Sequence, residues 1–331
     1  MHSTLNKANK LLLIEKKNKA MLPDGNLPEE YRKLRIPSTG YYFRQDQDCD
    51  ILSQHIDVGP FSLWMHDIFA KEDIVLLPYS PYHIWALHFM YEDSLAAEKE
   101  NGSEFNLEEK ECNLFNLQPG LHKVPMEADK KVLSFHVNIN PDSIQGLVTK
   151  YPSLKNLLSQ PSPDVSSLIN ESSHHINPVA DLLIQRILSC QHTGSRAYYF
   201  IRRCCADLFL NFAKQDADAQ QPFLFSSVLH MDTYIQLFEY LVEHPHRIHS
   251  IPELAYMYFQ TPEQLNQGFE QHFSISIEGF MHMMRMMITY TLLHKQQLSL
   301  TDIAETGKFN SVKEMVDQLE EYYDCTLKQM Q

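Results

Sequence analysis

The last hundred residues restrict the fold of this chain more than any other part, because one arrangement of helix signals occurs there twice. In the first copy, an amphipathic stretch at 251–257 precedes Thr261, Pro262 and a run of apolar residues at helical spacing. Thr261 is a suitable N-cap, and proline is favoured at the first position of a helix. A similar arrangement follows at 300–323, after a methionine-rich stretch at 276–294. The pattern predicts an all-α domain of two short-helix pairs and one joining helix with a methionine core.

Residues 41–140 contain short runs of aromatic and β-branched residues, separated by turn residues such as Pro119-Gly120. Runs of this kind at roughly even spacing predict a β-sandwich or a small barrel. The predicted strands are Ile51–Val58, Ser62–His66, Ile74–Pro78, His83–Tyr91, Asn113–Leu117, Lys123–Pro125 and Val132–Asn138. The charged stretch 94–111 contains Asn101-Gly102 and predicts a long exposed hairpin or loop.

After residue 140 the apolar spacing is helical and predicts helices at 141–151, 179–190 and 195–214. The polar tract Gln215–Gln221, followed by Pro222, predicts a linker. The predicted organisation is an arm at 1–40 (a helix or arm with an irregular lead-in), a β domain at 41–140, a helical connector at 141–221 and an all-α domain at 222–331. The connector has an aromatic face too large for one short helix pair to bury, which predicts a homodimer. That face consists of Tyr198, Tyr199, Phe209 and Phe212.

The C-terminal motifs, in their order and spacing, resemble the DNA-binding domain of AraC/XylS-type transcription regulators. The motifs are I-x-E-L-A at 251–255, T-P-x-x-L-x-x-x-F-x-x-x-F at 261–273, F-M-x-x-x-R-M at 280–286, L-T-D-I-A at 300–304 and K-F at 308–309. The resemblance covers about residues 231–331, and 187–194 is similar to a linker element of some family members. It implies an α+β chain with a cupin-like β-sandwich or barrel that senses a ligand, a helical connector, and a C-terminal double helix-turn-helix that binds double-stranded DNA.

The resemblance also implies which residues of the two recognition helices would face DNA. They are Glu263, Gln264, Asn266, Gln267, Lys308, Val312, Lys313, Glu314 and Asp317. The amides among them could pair with adenine edges, and Lys313 with guanine. A small, partly apolar effector would bind between the sheets of the β domain. The candidate pocket residues are Tyr82, Trp85, Trp64 and Tyr91, with a plain core role as the alternative.

Charge distinguishes this chain from the family that it resembles. Where family recognition helices carry Arg or Lys, this chain has Gln267, Glu270 and Gln271 in the first helix and Asp317, Glu320 and Glu321 in the second. The usual glycines are replaced by Ser274, Asp324 and, in a G-F turn, Lys308. Residues 222–331 have a net charge of −8, whereas residues 1–40 have +4. Because phosphate neutralisation supplies most non-specific affinity for DNA, the carboxylates predict weakened or lost DNA binding.

Three functions stay open on this evidence. The first is a transcription regulator that senses a small molecule and binds DNA. The second is a relative without DNA binding that acts through protein–protein contacts, in which the acidic helices suit a basic partner. The third is a ligand-binding protein whose helical domain is a scaffold. Binding to random duplex DNA at low salt separates the first from the other two.

Other features narrow the class of protein further. No apolar run approaches the roughly 20 residues that a membrane span needs. The six cysteines show no CxxC pair, which favours the cytoplasm and no structural metal. No catalytic or cofactor motif is present, so we expect neither an enzyme nor a bound cofactor. A cupin-like fold can use histidines as metal ligands, but without the usual spacing we favour surface or packing roles for His83, His88, His122 and His136. For Arg285 we favour a structural ion pair over phosphate contact.

Overall fold

The computed structural model describes residues 8–16, 27–98, 104–158, 164–219, 231–245, 247, 249–294 and 298–330. The chain divides into two compact units, an N-terminal unit of 1–176 with 183–193 and a C-terminal unit of 177–182 with 194–331. The N-terminal unit contains the strands, and the C-terminal unit is helical where it is described. The predicted α+β class is therefore confirmed. No helix among the described residues is long and apolar enough to cross a membrane.

The strands of the N-terminal unit form two facing sheets and a small hairpin. In chain order they are β1 Ala8–Leu13, β2 Gly40–Gln45, β3 Cys49–Val58, β4 Phe61–Ala70, β5 Ile74–Ser80, β6 Ile84–Glu92, β7 Leu95–Glu98, β8 Glu104–Leu107, β9 Glu111–Leu117, β10 Gly120–Leu121, β11 Val124–Met126, β12 Lys131–Ile139, β13 Ser167–Leu168 and β14 His174–His175. The larger sheet has the order β13-β9-β6-β12-β4-β3-β2, and β14 also pairs with β9. In the smaller sheet, β5 pairs with β1, β10 and β11. The hairpin consists of β7 and β8.

The core of this unit lies between the two sheets. Because successive side chains of a strand point to opposite faces, alternate residues of β4, β6 and β12 form one wall. Ile68 and Val132 belong to that wall, and Leu12, Leu76 and Met126 face them from the smaller sheet. A sandwich with an apolar interior follows directly from the alternating pattern of these strands.

The N-terminal arm differs from its prediction. Residues 8–13 form strand β1, which pairs in parallel with β5, rather than a helix or a free arm. The burial alternates along the strand, with Leu12 buried and Leu11 exposed. Lys10, which gives the segment a polar appearance, is buried because its ammonium is paired with Asp46 and Asp48. Residues 1–7 and 17–26 of the predicted arm, and Asn101-Gly102 of the predicted hairpin, lie outside the described residues.

The helices are α1 Pro141–Lys150, α2 Lys155–Leu158, α3 Pro178–Leu188, α4 Gly194–Ala219, α5 Met231–Glu243, α6 Ile251–Met257, α7 Pro262–Phe273, α8 Ile277–Leu292, α9 Leu300–Thr306, α10 Val312–Tyr323 and α11 Leu327–Met330. Two short 3-10 helices, Glu29–Leu34 and Pro152–Leu154, accompany them. The predicted helix pairs are thus α6–α7 and α9–α10, joined by α8. The methionines at 283, 284, 286 and 287 of α8 are buried, as the core role requires.

The predicted linker Gln215–Gln221 is wrong for its first five residues, because α4 continues to Ala219. The tract contains neither glycine nor proline, and Lys214 forms an i,i+4 ion pair with Asp218 that supports the helix. Helix α4 packs against α7, α10 and α11 within the C-terminal unit. Phe209 and Phe212 are fully buried there. The aromatic face that suggested a homodimer is therefore covered in part by the chain's own helices.

Candidate functional site

A cavity of about 170 Å³ lies between the two sheets of the N-terminal unit. Its walls are mainly apolar and come from both sheets, with Leu12, Ile14, Ile68, Leu76, Ala86, Met90, Phe115, Leu117, Val124 and Val132 among the lining residues. The polar lining includes the imidazoles of His66, His88 and His136. Enclosed, mostly apolar pockets with a few polar groups are typical of small-molecule sites.

The imidazoles belong to a row of rings that crosses the larger sheet. His88 of β6 lies opposite His136 of β12, which lies opposite Trp64 of β4, which in turn lies opposite His55 of β3. The His136 and Trp64 rings are nearly parallel, with an interplanar angle of 6° and centroids 6.4 Å apart. His66 stands two residues along β4 from Trp64 and stacks on His136 at 5.2 Å. Cross-strand pairing therefore gathers side chains that are far apart in sequence.

A chain of hydrogen bonds fixes the protonation of His66 and His136. The side-chain nitrogen of Asn138 donates a hydrogen bond to the carbonyl oxygen of Ile14. The side-chain oxygen of Asn138 therefore faces His136 Nδ1 and accepts a hydrogen bond from its N–H, with 2.9 Å between the two atoms. His136 Nε2 is then an acceptor, and His66 Nε2 donates to it across 3.1 Å. His66 Nδ1 in turn accepts from the Ser53 hydroxyl at 2.8 Å. The chain is complete when both rings are neutral.

Burial keeps these rings neutral near neutral pH, because a charged imidazolium is poorly solvated in an apolar interior. Desolvation lowers the pKa of His88 to about 3 and that of His136 to about 4. The pKa of His66 also lies well below its usual value, because of desolvation and the neighbouring His136. Protonation of His136 at Nε2 would place its N–H against the N–H of His66. The cavity wall therefore presents neutral imidazoles.

The four aromatic residues predicted for an effector pocket do not line this cavity. Trp64 is buried at its side, and its indole nitrogen donates to the Ser62 hydroxyl. Trp85 stands on the face of β6 opposite the lining residues Ala86 and His88, and Tyr91 lies where the pairing of β6 with β12 shifts register. Tyr82 lies in the turn before β6 and is 37% exposed.

The sequence-based interpretation of the four histidines holds only in part. His88, His122 and His136 line the cavity, whereas His83 Nε2 lies 2.6 Å from the Asn116 amide oxygen. His66 was not singled out at all. The feature that could have indicated His66 is its position two residues after Trp64 in β4, a strand whose residues are almost all buried. Sequence order alone could not pair it with His136.

Two clusters of possible metal ligands occur among the described residues. One consists of Glu15, His55 and Asp57, and the other of Asp46, Asp48 and Cys49. In the second cluster, Asp46 and Asp48 form ion pairs with Lys10, and Asp46 also pairs with Arg44, so two cations already compensate the two carboxylates. Burial and the neighbouring carboxylates raise the pKa of Cys49 to about 11, which keeps its thiol protonated. Neither cluster includes the stacked pair His66 and His136.

Helices α7 and α9 of the C-terminal unit begin at capped residues, and Thr261 is the cap that the sequence predicts for α7. The Thr261 hydroxyl accepts a hydrogen bond from the backbone N–H of Gln264, and the Gln264 side chain accepts one from the backbone N–H of Thr261. Together the two bonds form a capping box. Ser299 and Asp302 form the same arrangement at the start of α9. Reciprocal caps of this kind satisfy two otherwise unpaired N–H groups at each helix end.

The predicted DNA-facing residues of α7 lie toward its start. Glu263 and Gln267 are exposed and bonded to each other, with Gln267 Nε2 donating to Glu263 Oε1 at 3.2 Å. Gln264 is exposed, but its side chain is used in the capping box. Asn266 is half-buried, and its amide oxygen accepts from the N–H of Ile277. Of the three predicted amides of α7, Gln267 contacts another exposed side chain rather than backbone.

The predicted residues of the second pair lie in α10 and in the turn before it. Lys308, Lys313 and Asp317 are exposed, whereas Val312 and Glu314 are half-buried. Glu314 accepts hydrogen bonds from the backbone and side chain of Asn310. At a spacing of four residues, Lys313, Asp317 and the exposed Glu321 share one face of α10. This face carries one positive and two negative charges.

Arg285 has a structural role, but with the described residues it forms hydrogen bonds rather than the predicted ion pair. Its Nε donates to the carbonyl oxygen of Gly307 and its Nη2 to that of Lys308, both at 2.8 Å. Its guanidinium carbon lies 3.7 Å from the centroid of the Phe309 ring. Arg285 therefore holds the turn between α9 and α10 against α8.

The positions where the resembled family has glycine adopt left-handed backbone conformations. The φ angles are 57° at Ser274, 57° at Lys308 and 54° at Asp324. Residues that have a Cβ atom are disfavoured in this region, so Ser274, Lys308 and Asp324 adopt the turn conformation at some cost in stability. The backbone of both helix pairs thus keeps its form although the residues differ.

Neither a family model nor a curated protein sequence matches the chain. The chain is similar to the solved structure of ToxT from Vibrio cholerae, with a TM-score of 0.32, 10% identity, and coverage of 82% of this chain and 97% of that one. It is also similar to the C-terminal domain of the two-component response regulator yesN from Fusobacterium nucleatum, with a TM-score of 0.28, 22% identity, and coverage of 30% and 97%. An AraC-type transcriptional regulator structure from Chromobacterium violaceum matches with a TM-score of 0.28, 14% identity, and coverage of 31% and 94%.

Proposed function

We propose that the chain is a transcription regulator of the AraC/XylS type, in which a ligand-sensing sheet domain is coupled to a double helix-turn-helix with weakened affinity for DNA. The observation that carries the proposal is the pair of capped units α6–α7 and α9–α10 around α8, each of which exposes one face of its second helix. A helix-turn-helix uses the second helix of each unit to enter the major groove. The cavity between the sheets provides the site for the effector.

The charge on the exposed faces is the reason to expect weak binding. Residues 222–331 have a net charge of −8, and the face of α10 presents Asp317 and Glu321 beside Lys313. Each phosphate contact by a cation releases counterions, whereas a carboxylate at the same place is repelled by the DNA backbone. The usual margin of specific over non-specific binding is about 4–10 kcal/mol, so a few repelled contacts remove much of it.

Fluorescence anisotropy with a labelled random duplex tests the proposal. We expect the full chain to bind weakly at about 50 mM salt, with an affinity that falls as salt increases and a shallow slope that reflects few phosphate contacts. Complete absence of binding at that salt concentration, by a chain with native circular dichroism, would contradict DNA binding by this surface.

Charge reversal on α10 sharpens the test. The double variant Asp317→Lys with Glu321→Lys should raise the affinity about tenfold or more at low salt and steepen the salt dependence, because both positions are exposed on one face. Glu320 is unsuitable for this purpose, since its carboxylate accepts from the Leu327 N–H. Asp232→Lys with Glu239→Lys, two exposed changes on α5 with the same change in net charge, is the matched control and should change the affinity much less.

A second candidate function is supported by an exposed apolar segment at the end of α6. Tyr256 is 85% exposed, Met257 42% and Phe259 96%. Contiguous exposed aromatic residues are typical of protein–protein contact sites. We propose as the alternative that the chain regulates through contact with a basic protein partner. If DNA binding is absent, and Tyr256→Ser with Phe259→Ser abolishes regulation in cells without loss of folding, this alternative is favoured.

A further inference from the structure

Glu15 is a buried carboxylate that forms no ion pair with a lysine or an arginine among the described residues. It lies just after β1 and only 2% of its surface is exposed. Three other carboxylates are buried in the described part of the chain, and each is paired with a basic side chain. The pairs are Asp50 with Lys71, Asp67 with Lys131, and Asp207 with Arg203. Because a buried charge is costly without an opposite charge, Glu15 indicates that a cation binds there.

Two further ligand groups approach Glu15 from the larger sheet. His55 and Asp57 stand two residues apart on β3, so their side chains share one face of the sheet. His55 Nε2 lies 3.0 Å from Asp57 Oδ1, and the three residues bring their ligand atoms within 4.8 Å of one another. Ligand atoms at about 2.0–2.2 Å from a shared ion are about 3–4 Å apart. Small side-chain movements are therefore enough for the three residues to hold one ion.

Neighbouring groups fix the orientation of these ligands. Asn138 Nδ2 donates to Glu15 Oε2 across 3.3 Å, and the backbone N–H of Lys16 donates to Glu15 Oε1 across 2.9 Å. The His55 ring packs against the Trp64 ring, with centroids 4.3 Å apart. Metal sites commonly hold their ligands through hydrogen bonds and packing of this kind. The cluster thus has the supporting groups that a binding site requires.

The donor groups limit the kind of ion. Glu15, His55 and Asp57 offer one imidazole nitrogen and two carboxylates. Mg²⁺ and Ca²⁺ prefer oxygen ligands alone, whereas an imidazole with carboxylates suits a divalent transition-metal ion. The side chain of Asp57 is 42% exposed, so the cluster can be reached from solvent. Three protein ligands also leave a coordination position for water.

We propose that Glu15, His55 and Asp57 bind a divalent first-row transition-metal ion. The ion joins the segment after β1, a strand of the smaller sheet, to β3 of the larger sheet. It therefore fixes the first described strand on the sandwich. Ile14, the residue before Glu15, lines the cavity, so the ion also fixes part of the cavity wall. This inference goes beyond the proposed function and does not depend on DNA binding.

Isothermal titration calorimetry with ZnCl₂ and with MgCl₂ tests the inference on the full chain after treatment with a chelator and dialysis. We expect the tightest site to bind one Zn²⁺ per chain. Its affinity for Zn²⁺ should exceed that for Mg²⁺ by about a hundredfold or more, because the imidazole nitrogen is a poor ligand for Mg²⁺.

Tryptophan fluorescence locates the bound ion. Because the Trp64 ring lies 4.3 Å from the His55 ring, Co²⁺, which has unpaired d electrons, should quench the Trp64 emission in a saturable titration. Zn²⁺ has a filled d shell and should not quench. Zn²⁺ should also restore the emission by displacing Co²⁺, since it binds such ligands more tightly.

Two variants attribute the binding to this cluster. Glu15→Gln and Asp57→Asn each remove one ligand charge with little change in size, so each should weaken Zn²⁺ binding about tenfold or more. Glu127→Gln, a change at an exposed carboxylate of the same unit, is the matched control and should leave the affinity unchanged. Urea unfolding followed by tryptophan fluorescence shows whether each variant is folded. If Glu15→Gln does not fold, the more exposed Asp57→Asn decides the test.

Several results would overturn the inference. They are no saturable quenching by Co²⁺, quenching that Zn²⁺ does not reverse, equal affinities for Zn²⁺ and Mg²⁺, or unchanged Zn²⁺ binding in a folded variant at either carboxylate. Failure of the regulator proposal would look different. A chain that binds Zn²⁺ at this cluster but no DNA supports the metal site and contradicts DNA-binding regulation, whereas a chain that binds DNA but no Zn²⁺ does the reverse.

Discussion

The stacked histidines of the N-terminal unit and the arginine–carboxylate pair of the C-terminal unit differ in charge. In the N-terminal unit, His66 and His136 are neutral and complete a chain of hydrogen bonds inside an apolar interior. In the C-terminal unit, Arg203 is charged, forms a bidentate pair with Asp207, and lies 3.8 Å from the centroid of the Tyr322 ring. A histidine that is neutral when folded but protonated when unfolded makes the free energy of unfolding depend on pH. A guanidinium group stays protonated in both states, so its contribution depends on the geometry of its hydrogen bonds instead. The following experiments test that contrast in order of expected effect.

Acidification should destabilise the N-terminal unit most. The pKa values of His88 and His136 lie near 3 and 4 in the folded chain and near 6.5 when unfolded, so the unfolded state binds more protons as pH falls below about 6.5. Between about pH 7.5 and pH 5 the two residues together should lower the free energy of unfolding by about 4 kcal/mol. Urea unfolding followed by tryptophan fluorescence measures this unit alone, because both tryptophans belong to it.

The same experiment contains its own control. His88→Leu should remove about a third of the acid sensitivity, since one of the three imidazoles with a lowered pKa is lost. The helical signal from circular dichroism should change less over this pH range, although desolvation also lowers the pKa of His272 and His282 in the C-terminal unit. Equal acid sensitivity in both signals would break the contrast.

Replacing Arg285 should have the largest effect in the C-terminal unit. Arg285→Met removes two hydrogen bonds to backbone carbonyl oxygens and the stacking on Phe309. Charge-assisted hydrogen bonds and cation–π contacts together suggest a loss of about 3 kcal/mol in the free energy of unfolding. Thermal unfolding followed by circular dichroism measures it. Arg285→Lys should recover little, because an ammonium cannot reproduce the planar fork, and the exposed Arg247→Met should cost less than about 0.5 kcal/mol.

A structural feature could be predicted from the sequence when the residues that determine it lie close together along the chain. The N-cap Thr261 and the proline after it were predictable because a helix start is decided within four residues. His66 and His136 are 70 residues apart, and only the antiparallel pairing of β4 with β12 brings their Nε2 atoms to 3.1 Å. Lys10 made β1 look like part of a polar arm, since its partners Asp46 and Asp48 lie on another segment. The cavity residues were missed for the same reason.

The capping boxes should contribute equally in the two helix pairs if their local chemistry is the same. Thr261→Ala and Ser299→Ala should each lower the free energy of unfolding of the C-terminal unit by about 1 kcal/mol. The two effects should add in the double variant, because the caps share no partner. Tryptophan fluorescence should be unchanged in all three variants. A cost confined to one cap would show that α7 and α9 differ in stability although both begin with a capping box.

The smallest expected effect concerns the turn before α10, where a lysine occupies a left-handed backbone conformation. Lys308 has a φ of 57°, a conformation that glycine adopts without a steric penalty. Lys308→Gly should therefore stabilise the C-terminal unit by about 0.5–1 kcal/mol, in spite of the greater flexibility of glycine in the unfolded chain. Lys313→Gly, the same substitution within α10, should destabilise it by a similar amount. If Lys308→Gly stabilises the unit and Lys313→Gly destabilises it, the backbone at Lys308 has a conformation that suits glycine better than lysine. If both substitutions destabilise the unit, backbone strain at Lys308 is negligible.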